Sequence, residues 1–251
     1  GPLLASARHD VAELRSETAP FLWAGPLFSW LPVYGPDLAM AKPFLDLASG
    51  VTVAADEAYQ SLWPVWSAVQ AEKNTFDPPR VLAMFVEAQP RLMAADEAIK
   101  QAIAARAAID PTRLSARRRA DVETLDPYLP LLRDGLAAAT ILPKLLGAEG
   151  FGPQTYLILL QNEDELRATG GFITAAGTVT VDRGQMASYT LEDSYALDDL
   201  SKPYLPAPWQ LDQYMYSHLW MLRDSNWSPD FPTSAALAEH LYIYTRRHSV
   251  D

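Results

Sequence analysis

The stretch that decides the fold class is residues 153–191, which read PQTYLILLQNEDELRATGGFITAAGTVTVDRGQMASYTL. Within it, residues 155–161 form a short apolar run, and residues 172–181 are rich in β-branched side chains and flanked by glycine. Both patterns are typical of buried strands. Residues 182–184, Asp-Arg-Gly, predict a turn, so residues 186–191 are expected to return as a third strand. The stretch therefore predicts a sheet that contains a hairpin.

The sequence after this sheet predicts one more strand and one helix. Prolines recur within residues 203–208 and indicate a long irregular loop. Residues 218–223 are a candidate strand, and residues 235–248 a candidate helix capped by Thr233 or Ser234. Because a single helix leaves a sheet poorly covered, we expect this domain to be incomplete.

The chain before residue 150 has the composition of a helical domain. Alanine, which loses no side-chain entropy in a helix, is concentrated there, whereas most tyrosines follow residue 150. Residues 81–109 give the strongest pattern, because apolar side chains recur at alternating spacings of three and four from Phe85 to Ala102. Antiparallel helices with short connections predict a bundle or an elongated hairpin. The other predicted helices are residues 10–16, 37–49, 52–72 and, in two pieces, 114–146, with a loop at residues 20–36.

The predicted fold class is therefore α+β (or α/β). A helical domain at residues 1–147 is followed by a mixed sheet-and-helix domain at residues 153–251.

Composition excludes several classes of protein. The 251 residues carry 20 basic and 31 acidic side chains, a net charge of −11 that disfavours nucleic acid as a partner. Cysteine is absent, which removes thiol catalysis, disulfides and thiolate metal sites. No run of eighteen apolar residues predicts a transmembrane segment. Gly1-Pro2 is typical of a protease scar, so we expect that a natural N-terminal anchor has been removed.

Two surface features of the helical domain leave alternatives open. Trp23, Trp30, Trp63 and Trp66 are either core residues or a belt at a membrane interface, which indole rings prefer. The basic run at residues 117–119 is either a solvated helix face or a contact for anionic lipid headgroups.

The first candidate site is residues 161–172, QNEDELRATGGF. Gly170 and Gly171 permit close backbone approach, so their N–H groups are candidates for binding the phosphate of a cofactor or substrate. Arg167 is then placed to hold that phosphate through two hydrogen bonds. The alternative is a tight turn in which Arg167 pairs with Glu163 or Glu165.

The second candidate site is residues 222–235, LRDSNWSPDFPTSA, which precede a predicted helix N-terminus. Such a terminus favours bound anions, and Asp224 with Asp230 offers oxygen ligands for a divalent cation. The alternative is a capping loop in which Asp230 caps the helix and Arg223 bridges to Asp230. The acidic run at residues 192–199 is either a solvated loop or joins Asp224 around magnesium or manganese.

Both motifs resemble a bacterial family of domains of unknown function, DUF4012. The resemblance lies in residues 162–173, NEDELRATGGFI, and residues 223–232, RDSNWSPDFP, and extends over residues 140–251. It implies a membrane-anchored protein of the cell envelope whose soluble part lies on the extracytoplasmic side of the membrane. It also implies a chain that continues beyond residue 251.

More distantly, the second half is similar to the LytR-CpsA-Psr transferases, which move glycopolymers from a polyprenyl pyrophosphate carrier to the cell wall. That resemblance implies that Arg167 and Arg223 clamp pyrophosphate, that Asp224 holds magnesium, and that Asp230 positions the acceptor hydroxyl. The sequence departs from the family pattern, because Leu222 replaces a proline of the second motif. Thr169 also stands where the first motif has an aspartate.

Two functions therefore remain open. One is a non-catalytic envelope protein, a binding domain or scaffold; the other is a phosphotransferase acting on a polyprenyl-phosphate lipid or a cell-wall glycopolymer. A transferase requires an apolar groove for the prenyl chain beside the arginines. We also expect Arg223 near a strand end, with an open polar cleft between it and the Gly170-Gly171 turn. Arginines that are already paired with carboxylates, Arg167 with Glu165 and Arg223 with Asp230, favour the scaffold.

Overall fold

The computed structural model describes residues 1–32, 34–71 and 77–246. It divides into two compact units, Gly1–Leu145 and Leu146–Asp251. The first is helical and the second combines an antiparallel sheet with helices, which confirms the α+β prediction.

The first unit is built around two long helices that pack against each other. The predicted stripe is buried from Ala88 to Ala102, with Leu92 and Ile99 fully enclosed. Gly50 faces this stripe, where a Cβ atom would lie 2.8 Å from the carbonyl oxygen of Ala98, so glycine allows the two helices to approach closely. The helices are α1 (Pro2–Thr18), α2 (Gly35–Ala39), α3 (Ala41–Ala71), α4 (Pro78–Ala107), α5 (Ala116–Leu125) and α6 (Tyr128–Leu145), with 3₁₀ helices at Leu22–Phe28 and Pro111–Arg113.

Three expectations for this unit need correction. The helix predicted at residues 37–49 is divided, because residues 37–39 belong to α2 and the rest from Ala41 onward to α3. The single helix α3 continues through the helix predicted at residues 52–72, with Pro64 inside it; residue 72 lies outside the described residues. The predicted loop at residues 20–36 contains a 3₁₀ helix and the start of α2. The four tryptophans are between 51% and 74% exposed, so the expectation that they form the core is wrong.

The second unit holds an antiparallel sheet. Its strands are β1 (Gln154–Arg167), β2 (Gly170–Asp182), β3 (Gln185–Tyr189) and β4 (Glu192–Asp193). The central strand is β2, which pairs with β1 in a register running from Gln154 opposite Val181 to Arg167 opposite Gly170. Both β3 and β4 pair with β2 as well.

Short helices follow the sheet. They are α7 (Ser194–Leu197), α8 (Trp209–Met215), a 3₁₀ helix at Leu222–Trp227, and α9 (Phe231–Arg246). The core joins Ala176 of β2 to Leu222 and to the buried face of α9 at Ala238, Leu241 and Tyr242. No helix in residues 1–32, 34–71 and 77–246 is long and apolar enough to cross a membrane.

The strand predicted at residues 218–223 is wrong. Leu219 forms one isolated bridge with Pro206, and a 3₁₀ helix begins at Leu222. The physical reason is that the backbone N–H of Leu222 donates to the carboxylate of Asp198, at 3.2 Å, rather than to a neighbouring strand.

The last helix begins earlier than predicted. Asp230, rather than Thr233 or Ser234, caps α9, because its carboxylate accepts the backbone N–H of Thr233 at 3.0 Å. The predicted end of this helix, at residue 248, lies outside the described residues.

Candidate functional site

The site is built on the closed end of the β1–β2 hairpin. Arg167 is the last residue of β1 and Gly170 the first of β2. Gly170 has φ +138°, which L side chains rarely adopt, and a Cβ atom on Gly171 would overlap the carbonyl oxygen of Asn162 in β1. Both glycines are therefore needed for the backbone path of the hairpin itself.

Arg167 is enclosed by neighbours, with only 8% of its side chain exposed. Its Nη2 lies 2.8 Å from a carboxylate oxygen of Glu165 and 3.3 Å from Oδ1 of Asp224. Its Nη1 donates to the sulfur of Met215 at 2.6 Å, and its guanidinium lies 5.3 Å from the ring centre of Phe172. The predicted pairing of Arg167 with Glu165 is thus confirmed.

Asp224 lies between the two arginines of the candidate motifs. It is 4% exposed and sits in the first turn of the 3₁₀ helix. Its Oδ1 contacts Arg167, while its Oδ2 accepts from the hydroxyl of Ser217 at 3.0 Å and lies 3.9 Å from Nε of Arg223. Both oxygens of this carboxylate are therefore engaged.

Arg223 is held by a partner that the sequence did not assign to it. Its Nη1 donates to Asp198 at 2.8 Å, and its guanidinium lies 4.6 Å from the ring centre of Tyr195. Asp198 is buried and also accepts the backbone N–H of Leu222. Burial raises the pKa of the Asp198 carboxyl above its ordinary value, against the opposing influence of the Leu222 N–H and the Arg223 charge.

Asn226 links the 3₁₀ helix to the hairpin. Its side-chain amide donates to the carbonyl oxygen of Gly171 at 2.7 Å, and the residue is 3% exposed. It occupies the approach to the glycine turn, where a polar cleft was expected. Arg223 lies in the 3₁₀ helix, so its expected position at a strand end is wrong.

The structure brings some of the predicted site residues together and separates others. Arg167, Arg223 and Asp224 form one cluster, which we call the arginine cluster together with Glu165 and Asp198. Gly170 and Gly171 shape the adjacent hairpin. Asp230 caps α9 instead, and the predicted bridge from Arg223 to Asp230 is wrong because Arg223 pairs with Asp198.

Sequence reasoning missed three contributors to the site. Asp198 belongs to the acidic run at residues 192–199, and its spacing gave no sign that Arg223 would neutralise it. Asn226 lies inside the second motif, and its side-chain amide, which both donates and accepts hydrogen bonds, could have indicated a contact with the backbone. Ser217 has no motif around it, so nothing in the sequence marks it.

The arginine cluster favours neither an anion nor a metal ion. Its three carboxylates outnumber its two guanidinium groups, so the formal charge of the cluster is negative, which disfavours a second anion. In the part of the chain that the structure describes, no group of three acidic or histidine side chains is arranged to hold a metal. Because Asp224 already uses both oxygens, these residues do not fit magnesium, and we derive no step through it.

The second unit has a pocket at the first motif, whose walls include Gln161 and Thr169, and another beside α9. One, of about 640 Å³, lies between β1 and α9 and is lined by Leu159, Phe231 and Ala235 among others. The other, of about 160 Å³, is lined by Tyr204, Trp220 and residues of α9. Neither is lined by Arg167 or Arg223.

Comparison with known proteins concerns this unit alone. Residues 151–251 match the family model described as "Protein of unknown function (DUF4012)", which supports the resemblance stated from the two motifs. No curated protein and no solved structure matches the chain.

Proposed function

We propose that this chain is an extracytoplasmic protein of the bacterial cell envelope and that its second unit is a non-catalytic binding domain or scaffold. The observation that carries the proposal is the pairing of Arg167 with Asp224 and of Arg223 with Asp198, both carboxylates being buried. A transferase site needs its arginines free to meet an incoming phosphate. The envelope location is supported by the resemblance to DUF4012 alone.

In this proposal the ion pairs of the arginine cluster hold three segments of the second unit together. Arg167 ends β1, Asp198 follows α7, and Asp224 lies in the 3₁₀ helix. Removing one partner of a buried ion pair leaves an uncompensated charge and costs about 3–5 kcal/mol. The cluster therefore contributes to the fold, and each of its two guanidinium groups already contacts a carboxylate.

A second candidate is a phosphotransferase acting on polyprenyl-pyrophosphate-linked glycopolymers. One observation favours it: within the described chain, Nε of Arg167 is buried and has no hydrogen-bond partner. An incoming phosphate oxygen would satisfy that donor. Glu165 and Asp224 contact Nη2 rather than Nε, so a second hydrogen bond to the same phosphate through Nη2 would have to displace one of them.

The experiment compares ligand binding with stability. Calorimetric titration of geranylgeranyl pyrophosphate, with and without Mg²⁺, is run on the parent protein, Arg223→Ala and a control, Arg183→Asn. Arg183 is 65% exposed in a left-handed turn that asparagine tolerates, so the control removes one cation without touching the cluster. We expect that the parent does not bind the lipid. Arg223→Ala should lose about 3–5 kcal/mol of unfolding free energy, whereas Arg183→Asn should keep the unfolding free energy of the parent.

The opposite pattern would favour the transferase over a structural role for the arginines. It consists of tight binding by the parent that Arg223→Ala abolishes while its melting temperature stays at the parent value.

A further inference from the structure

The first unit exposes large apolar side chains at residues 21–32 and 34, which we call the aromatic segment. Residues 20–36 contain no charged side chain. Single exposed apolar residues are ordinary, whereas six large ones close together in the sequence indicate an interaction site. The exposed side chains are Phe21, Trp23, Leu27, Phe28, Trp30 and Tyr34, with exposed fractions between 45% and 74%.

The backbone holds these side chains in place. Gly35 lies so close to the first 3₁₀ helix that a Cβ atom would come within 2.6 Å of the carbonyl oxygens of Phe28 and Ser29. Gly25 is packed in the same way against the carbonyl oxygen of Leu38 in α2. The aromatic rings therefore project from a backbone that is packed against α2, so their exposure is a property of the fold.

Cationic side chains lie beside the aromatic segment. Asp37 of α2 accepts two hydrogen bonds from Ser115, at 2.9 and 2.7 Å, which fixes the start of α5 against α2. Arg117 and Arg118 of α5 line a pocket of about 740 Å³ whose walls include Tyr34. Among the described residues the side chain of Arg117 has no hydrogen bond or ion pair, and Arg118 pairs with an exposed carboxylate, that of Asp121.

We propose that this end of the first unit docks onto the surface of an anionic lipid bilayer. Trp23, Trp30 and Tyr34 enter the headgroup region, where an amphipathic ring places its apolar body and its polar tip in matching surroundings. Arg117 and Arg118 lie next to the same surface and contact the lipid phosphates.

The charges at this surface favour an anionic bilayer over a second copy of the chain as its partner. The protein carries a net charge of −11, yet this face combines uncharged aromatic residues with an unpaired arginine. In a pairing of two copies through the aromatic segment, that segment would bring no carboxylate to Arg117, because residues 20–36 carry no charged side chain. An anionic headgroup complements the same arginine. The proposal concerns the first unit and does not rest on the function proposed for the second.

The test measures partitioning of the whole chain onto vesicles. One set is phosphatidylcholine alone, and the other contains about one third phosphatidylglycerol. We expect the parent to bind the anionic vesicles and the double variant Trp23→Ala/Trp30→Ala to bind them at least about tenfold more weakly. The matched control is Trp63→Ala/Trp66→Ala, which removes two exposed tryptophans near the opposite end of α3 and should partition like the parent.

A second pair of variants tests the charge. Arg117→Gln should weaken binding to anionic vesicles about fivefold and leave binding to neutral vesicles unchanged. Arg133→Gln, an exposed arginine of α6, should leave both unchanged. The proposal is overturned if the parent ignores both kinds of vesicle or if the control tryptophans matter equally. It is also overturned if the chain dimerises without lipid in a way that Trp23→Ala/Trp30→Ala abolishes.

Discussion

Replacing Gly171 with alanine tests how the β1–β2 hairpin closes. A Cβ atom there would overlap the carbonyl oxygen of Asn162, because their separation would be well below the 3.0 Å at which real Cβ atoms begin to approach other heavy atoms. The clashing atom belongs to the backbone of a paired strand, so it cannot move away by a change of rotamer as a flexible side chain can. The two strands must separate locally, and the carbonyl of Gly171 moves with them.

The expected loss has two parts. Overpacking a well-packed site costs about 1–3 kcal/mol. Moving the Gly171 carbonyl also deprives the buried amide of Asn226 of its 2.7 Å acceptor, which costs about 1–3 kcal/mol more. Together they predict a loss of about 2–6 kcal/mol, a large share of the stability of an ordinary domain.

The assay is urea unfolding followed by circular dichroism and tryptophan fluorescence. Gly135→Ala is the matched control: it lies in α6 with nothing within 4 Å of the added methyl group. In a helix that change should stabilise by about 1 kcal/mol. The reasoning is refuted if Gly171→Ala unfolds within about 0.5 kcal/mol of the parent, below the smallest overpacking cost.

Two further predictions concern charge and domain structure. Because burial raises the pKa of Asp198, this carboxyl holds its proton more tightly in the folded chain than in the unfolded chain. The stabilisation that comes from this proton is complete below the ordinary value of 3.8 and is lost as pH rises through the raised pKa. The unfolding free energy of the parent minus that of Asp198→Asn should therefore fall over that pH range, and a flat difference curve contradicts the assignment. A fragment ending at Leu145 should give a strongly helical circular dichroism spectrum, since that unit holds six α-helices and no strand among its described residues; a strand-dominated spectrum would rule it out.

Local pattern determined much of the fold. The helix at α4 follows from an apolar stripe that repeats every three or four residues, and β2 with the turn at residues 182–184 follows from β-branched residues ending at a glycine. These signals lie within one element or one turn, so neighbouring residues carry all the information. The two glycines of the hairpin were recognisable for the same reason, since only glycine permits such backbone positions.

What the sequence could not settle depends on contacts between distant residues. The strand expected at residues 218–223 is absent because Asp198, far away in sequence, takes the N–H of Leu222 and the guanidinium of Arg223. Arg223 pairs with Asp198 rather than with Asp230 because α7 packs against the 3₁₀ helix, and the sequence does not show that packing.

The tryptophans illustrate the same division. Residue type established that Trp23 and Trp30 prefer either a core or an interface, because indole has a large apolar surface and one polar N–H. Only the tertiary structure decided that they are exposed, since the packing of Gly25 and Gly35 directs the backbone of the aromatic segment. Sequence alone thus determined which elements form and what each side chain can do, and long-range packing decided which side chains meet a partner and which face outward.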